Sequence, residues 1–272
     1  MEIEILKPTN IELQKHIEFF YILRHSKKEG RTKYFAFPSG FSVVSFSSNI
    51  IVKRNNNFIE ISQSPTQNFN SELDVTFTTP LLIQYEGDIK EITIAFKTLG
   101  LNVFLEKTLN TYCKENNKFT PFPDYIEKMQ SILKINSKKK AIEELERYLL
   151  SKLKSKSYSK IQKIINDIVT NIDTPISLIA TKHNISHKTL ISYFNKHICK
   201  TPSDFKKIIR FRKSLENKKT NNLTELSYLS SYFDQSHMIK DFKKLTNHSP
   251  KYFFKNLSVI NRGNINWIFS EG

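Results

Sequence analysis

Over the first hundred positions, short runs of β-branched and aromatic residues alternate with breakers. The runs are residues 34–37, 41–46, 50–53, 58–62, 75–77, 81–85 and 89–96. Pro38-Ser39-Gly40, Asn55-Asn56-Asn57, Pro65 and Gly87-Asp88 separate them. Branched and ringed side chains fit a pleated surface, so the runs predict strands. Ahead of them, Leu13, Ile17, Phe20 and Tyr21 predict a short helix turning into a strand. Many short, evenly punctuated strands predict a β-sandwich or small barrel over 1–100.

After residue 100 the apolar spacing changes to three and four. Leu101, Phe104, Leu105 and Leu109 form one stripe; Ile126, Met129, Ile132 and Leu133 form a second. A third, Ile142, Leu145, Leu149 and Leu153, suits either a core helix or a dimer seam. The Lys- and Ser-rich residues 152–160 predict a linker, closing a helical segment over 101–157. A helix with Ile161, Ile164, Ile165 and Ile168 opens the next domain, 158–257. Residues 258–272 form a tail, docked or disordered, that holds the one tryptophan, Trp267.

Within 158–257 a pattern occurs twice. Leu190, Phe194, Pro202 and Phe205 return 48 positions later as Met238, Phe242, Pro250 and Phe253, while Ala180 returns 47 later as Ser227. A one-residue difference can be absorbed in the turn between two helices. Each copy therefore predicts a helix-turn-helix, and a long helix after Pro202 joins the two. Ser177, Ser186 and Thr224 are the candidate N-caps. The predicted fold class is α+β and multidomain, an all-α domain following the β-rich one.

At 100° per residue, Leu190 and Phe194 point Lys188 and Ser192 outward, with Ile191 and Lys196 on the flanks; Met238 and Phe242 point Ser236, Lys240 and Lys243 outward, with Lys244 on a flank. Gln235 and His237 lie in the first turn, which meets base edges when a helix enters the major groove. Gln bonds adenine, Lys bonds guanine, and an exposed Ile covers a thymine methyl. Candidate base contacts are therefore Lys188, Ile191, Ser192, Gln235, Ser236, His237 and Lys240. Candidate phosphate contacts are Lys196, Lys200, Lys243, Lys244 and Lys251.

Charge sharpens this picture. The net charge is +16 over 272 residues, and 158–257 carries 18 Lys and Arg against 7 Asp and Glu, a difference of +11. A concentrated positive field suits a polyanion. No apolar run approaches the roughly 20 residues that span a bilayer. Residues 1–10 lack the basic start and apolar core of a signal peptide, so a cytoplasmic protein without membrane contact is expected. Two cysteines, Cys113 and Cys199, are too few for a disulfide framework or a four-thiolate zinc site.

The run YFDQSHMIKDFKKLTNHSPKYF, residues 232–253, resembles the signature of AraC/XylS-type transcriptional regulators, and the upstream copy fits that family's first helix-turn-helix. The resemblance implies two recognition helices in successive major grooves of double-stranded DNA. By family position, Lys188, Ile191, Ser192, Gln235, Ser236 and Lys240 are the base contacts. Cys199 and Ser231 stand where the family has glycine, Ser227 where it has alanine, and Asn217 and Lys218 where it has a leucine pair. Phe37-Pro38-Ser39-Gly40 and residues 89–105 look like the cupin-like sensor domain that precedes such DNA-binding domains. By family habit that domain holds a small-molecule effector, a homodimer surface, or both, and the regulator family's habit implies an activator, with RNA polymerase as a further expected partner. An aromatic-lined barrel can hold an apolar ligand, yet Phe35, Phe37, Phe41, Phe46, Phe77 and Phe96 equally suit a plain core.

Two other functions compete. An enzyme needs a catalytic or metal constellation, and 1–157 offers only His16 and His25, both outside the strand runs. No phosphate loop, nucleophile elbow or His-Glu-x-x-His occurs, so no cofactor and no metal is expected. A protein-binding adaptor or anti-regulator with decayed DNA binding is the alternative that the replaced glycines leave open.

Overall fold

The computed structural model describes residues 1–66, 68–114, 118–218, 222–260 and 265–270. It is α+β, with a β-rich N-terminal half and a helical C-terminal half. In chain order the first half contains β1 (Glu2–Leu6), α1 (Ile11–Gln14), β2 (Ile17–His25), β3 (Arg31–Ala36), β4 (Ser42–Ser48), β5 (Ile50–Asn55), β6 (Phe58–Gln63), β7 (Phe69–Asp74), β8 (Leu81–Glu86) and β9 (Ile89–Phe96). The helices α2 (Leu109–Cys113), α3 (Tyr125–Leu133) and α4 (Lys138–Lys152) follow. Then come α5 (Ser159–Thr170), α6 (Ile176–Lys182), α7 (His187–His197), α8 (Pro202–Glu216), α9 (Leu223–Leu229), α10 (Gln235–Thr246), α11 (Pro250–Asn256), β10 (Ser258–Ile260) and β11 (Ile265–Ser270).

The strands make two sheets, ordered β1-β2-β9-β4-β7 and β10-β11-β3-β8-β6-β5. The period of two in β2 shows how they are layered. Phe19, Tyr21 and Leu23 enter a core shared with Tyr34, Ile59 and Tyr85 of the second sheet. Phe20 and Ile22 point the other way, into a core shared with Met129, Ile142 and Leu145 of the helices. Both faces of β2 are covered, so it is apolar almost throughout.

Several expectations shift. The strand expected at 75–77 lies at Phe69–Asp74, where polar Asn70, Glu72 and Asp74 alternate with buried Ser71 and Leu73 and mask the apolar period. The edge strand β1 has no apolar run, because glutamates fill its alternate positions. His25 closes β2 rather than lying outside it, with Nδ1 2.7 Å from the Gly87 carbonyl oxygen. Leu101, Phe104, Leu105 and Leu109 are all buried, but not on one helix: Leu101 opens a 3-10 turn that ends at Phe104, Leu105 lies in the connection and Leu109 opens α2. Ile126 is 45% exposed and Tyr125 takes the inward place. The stripe of Ile142, Leu145 and Leu149 lies in the chain's own core, with Leu153 partly buried against it.

The C-terminal helices build two cores around one spine. Ile164, Ile168, Ile179, Leu190, Phe194 and Phe205 form the first; Ile208, Phe211, Leu226, Met238, Phe242 and Phe253 form the second. Helix α8 gives Phe205 to one and Ile208 and Phe211 to the other. Residues 183–186 connect α6 to α7 and 230–234 connect α9 to α10, so the one-residue difference in the repeat falls in this connection. Ser186 caps α7, accepting from the Thr189 amide at 3.0 Å. Ser177 and Thr224 do not cap. Pro175 precedes α6, and Asn222 caps α9 by accepting from the Thr224 and Glu225 amides.

The tail is docked. β11 pairs antiparallel with β3, and Trp267 is buried against Tyr34 with ring centroids 3.8 Å apart. Residues 261–264 and 271–272 of the expected tail lie outside the described residues.

Candidate nucleic-acid interface and the cavity between the sheets

α7 and α10 each begin at a side-chain cap: Ser186 for α7, and for α10 Asp234, whose Oδ1 accepts from the His237 amide at 2.7 Å. The caps fix where each helix starts, and its amide end carries partial positive charge. Leu190, Phe194, Met238 and Phe242 are each 0% exposed, as the spacing requires. On the opposite faces Lys188, Ser192 and Lys196 are exposed, with Ile191 half-buried beside them; Ser236, Lys240, Lys243 and Lys244 are exposed on α10. Gln235 is half-buried, its Oε1 accepting from Thr224 Oγ1 at 3.1 Å, which orients the amide. His237, also half-buried, packs edge-on against Tyr232 and lies 3.7 Å from an Asp241 carboxylate oxygen. Lys251 is exposed at the start of α11.

Lys200 departs from its expected role. It is 5% exposed and its Nζ donates to the Val75 carbonyl, so it cannot reach a phosphate from this position. Burial pushes its pKa down to about 8.

The positions where the resemblance implies glycine keep the backbone that glycine favours. Cys199 has φ 56° and Ser231 has φ 60°, both left-handed. A non-glycine residue there costs about 1 kcal/mol, and hydrogen bonds hold the turns: Cys199 N–H donates to Phe194 O at 3.0 Å and Ser231 N–H to Tyr228 O at 2.9 Å. Ser227 fits with no exposure because its hydroxyl donates to Thr224 O at 2.7 Å. Asn217 and Lys218, in place of a leucine pair, donate to Leu229 O and Phe254 O.

A second feature lies between the two sheets, a cavity of about 130 Å³. Phe37, Phe41, Phe46 and Phe77 line it; Phe35 packs instead beside the second helical core, and Phe96 against the helices of the first half. The cavity also carries polar groups. Glu72 and Asp74 reach it, and both accept from Arg54 Nη2, at 2.7 and 2.9 Å. Glu91 accepts from Tyr85 at 3.0 Å and from Thr93 at 3.1 Å. Burial raises all three carboxyls, and Glu91 is pushed up to about 7.

One end of the cavity belongs to the C-terminal half. Arg212, on α8, lines it and donates to Pro38 O at 2.9 Å and Phe37 O at 2.7 Å. Asn266 and Trp267 of β11 complete the wall. None of these polar residues stood out in the sequence. Their signal was present nonetheless, as polar side chains two apart along a strand: Ser45 and Ser47, Asn70, Glu72 and Asp74, and Glu91 and Thr93. Among the described residues no group of three or more His, Cys, Asp or Glu is placed to hold a metal ion. No helix among them is long and apolar enough to cross a membrane.

No protein-family model matches the chain, and no curated protein matches it. Among solved structures it is similar to unsaturated fatty acid bound wild-type ToxT from Vibrio cholerae strain SCE256, at 14% identity and TM-score 0.43, over 86% of this chain and 95% of that one. ToxT from Vibrio cholerae O395 matches at 12% identity and TM-score 0.39, over 93% and 95%. At that distance the likeness says nothing about the ligand or the function of this chain.

Proposed function

We propose that the chain is a sequence-specific DNA-binding transcription regulator of the AraC/XylS type, with two helix-turn-helix units sharing α8 and a small effector controlling them from the β-rich half. The observation that supports this reading best is the pair of capped helices with equivalent polar, cationic faces, Lys188, Ser192 and Lys196 on one and Ser236, Lys240 and Lys243 on the other. Each faces away from a core that is closed beneath it. Lys188, Ile191, Ser192, Gln235, Ser236, His237 and Lys240 would read base edges; Lys196, Lys243, Lys244 and Lys251 would hold phosphates.

The effector would occupy the cavity between the sheets. Its volume matches cavities that hold a single benzene-sized ring. Three carboxyls, those of Glu72, Asp74 and Glu91, line it against the one Arg212 guanidinium, with Arg54 bonded to Glu72 and Asp74 from behind the lining, so a ligand bringing hydrogen-bond donors or positive charge fits better than an anion. Homodimer formation and contact with RNA polymerase belong to this reading as family expectations. No cofactor and no catalytic step belong to it.

The test is a selection of bound genomic fragments followed by salt-dependent shift assays. Affinity should fall steeply with salt, because the counterions that binding displaces gain less entropy on entering a more concentrated bulk. Lys240→Ala and Gln235→Ala should each weaken specific binding by roughly 1–3 kcal/mol. Unchanged affinity in both variants would remove the assignment of α10 as a reader.

A second reading, an adaptor acting through protein contacts, is favoured by one patch. Tyr228, Leu229 and Phe233 are 65%, 50% and 85% exposed. The same assay separates the two, because an adaptor would not bind duplex DNA at any salt concentration.

A further inference from the structure

The chain has two cysteines, and the fold brings them together across 86 residues, with their Sγ atoms 2.9 Å apart. Both are free thiols and both are partly exposed. Cys113 is the last residue of α2, in the first half. Cys199 sits on the left-handed turn between α7 and α8. Beside it, buried Lys200 is anchored on the Val75 carbonyl.

The surroundings make the two sulfurs unequal. The hydrogen bond from Cys199 lowers the Cys113 pKa and the Lys200 charge adds to this, against the opposing effect of burial. Cys199 moves the other way, raised first by its bond to Cys113 and then by burial. Only a thiolate attacks an oxidant. A low-pKa thiol beside a second cysteine is the arrangement that redox-sensing sites use. A disulfide needs the sulfurs at about 2.05 Å, a closing movement of about 0.9 Å.

We propose that Cys113 and Cys199 form a dithiol site that a hydroperoxide converts to an intramolecular disulfide, fastening the β-rich half to the turn behind α7. In the first step the Cys113 thiolate attacks a peroxide oxygen. With hydrogen peroxide the O–O bond breaks, the departing hydroxide takes a proton to become water, and Cys113 becomes a sulfenic acid. In the second step the Cys199 sulfur attacks that sulfenic sulfur. An S–S bond forms, the S–O bond breaks, and the hydroxyl leaves as water with the Cys199 proton. Two thiols are oxidised by two electrons, one peroxide is reduced, and two waters form. A dithiol reductant reverses the change by exchange. Any effect on DNA rests on the function proposed above; the sulfur chemistry does not.

The test uses the full chain, reduced and then titrated with hydrogen peroxide, with free thiols alkylated and intact mass read. The wild type should lose both alkylation sites, become lighter by the mass of two hydrogens, and recover both sites in dithiothreitol. Cys199→Ser should instead accumulate a sulfenic acid at Cys113 that dimedone traps, and Cys113→Ser should oxidise roughly ten-fold more slowly. Cys113→Ala and Cys199→Ala, with thermal melts, cover the case in which a serine variant fails to fold. Two alkylatable thiols persisting in the wild type under excess peroxide, or links formed only between chains, would overturn the proposal. Mass reports disulfide formation and the shift assay reports DNA binding, so the two readings fail separately.

Discussion

Glu91 is 4% exposed, and its two oxygens are held by the hydroxyls of Tyr85 and Thr93. Its pKa rises from the ordinary 4.5 to about 7 because burial disfavours the ionised form. A raised folded-state pKa favours the folded protein fully below the unfolded value, and that contribution is lost as pH climbs through the folded value. The fold should therefore weaken between pH 4.5 and 7, by on the order of 3 kcal/mol. Glu72 and Asp74, raised by burial as well, act in the same direction. Urea unfolding at pH 5 and pH 8 should show the loss, and Glu91→Gln should reduce it; a pH dependence identical in the variant would exclude Glu91 as the cause. Phe242 provides the apolar counterpart. It is 0% exposed and contacts Phe211 and Phe253 edge-on, at 5.1 and 5.6 Å. Phe242→Ala should cost about 3–5 kcal/mol, read as a lowered melting temperature, whereas Lys240→Ala two residues away should leave the melt unchanged.

Among the elements, those whose pattern serves a single purpose were legible in the sequence. α7 and α10 showed in their apolar spacing because one face packs and the other meets solvent. β5, β6, β8 and β9 showed in their branched and aromatic runs. β7 did not, because one of its faces lines the cavity with Asn70, Glu72 and Asp74, and an acidic alternation reads as a loop. The meeting of Cys113 and Cys199 was equally hidden, since it depends on how two halves dock and not on any local period. β11 was hidden for another reason. Nothing in INWIFS says that a strand at the far end of the chain should return to β3. That return gives Trp267 its place, stacked on Tyr34 and 6% exposed. Trp267→Ala should remove about 3–5 kcal/mol and unfasten β11 from β3. Hydrogen exchange should then rise at the β11 amides and at residues 31–36. Protection unchanged along β3 would mean that the strand is held by its backbone pairing alone.

At the scale of the molecule the two halves share their cores. Phe37 and Ile268 are buried among Ile208, Phe211 and Phe253 of the helices, and Leu99 lies with Ile164 and Phe194. Asn102 donates to His197 O at 3.0 Å, and Arg212 reaches the carbonyls of Phe37 and Pro38. Domains joined by a small polar interface melt independently, but here unfolding one half strips buried apolar surface from the other. The chain should therefore unfold in a single transition, its calorimetric and van't Hoff enthalpies agreeing. Arg212 is the polar fastener at the cavity end of this joint. Arg212→Ala removes two charge-assisted hydrogen bonds, at a cost of roughly 1.5–3 kcal/mol each, while leaving the aromatic packing inside each half intact. That loss falls on the coupling between the halves, so the variant should melt in two resolved steps, with the helical signal and the tryptophan fluorescence of Trp267 changing at different temperatures. A single coincident step in Arg212→Ala would show that the shared apolar cores alone unite the halves. An effector in the cavity would then have to act on the helices through Trp267 and β11 instead of through α8.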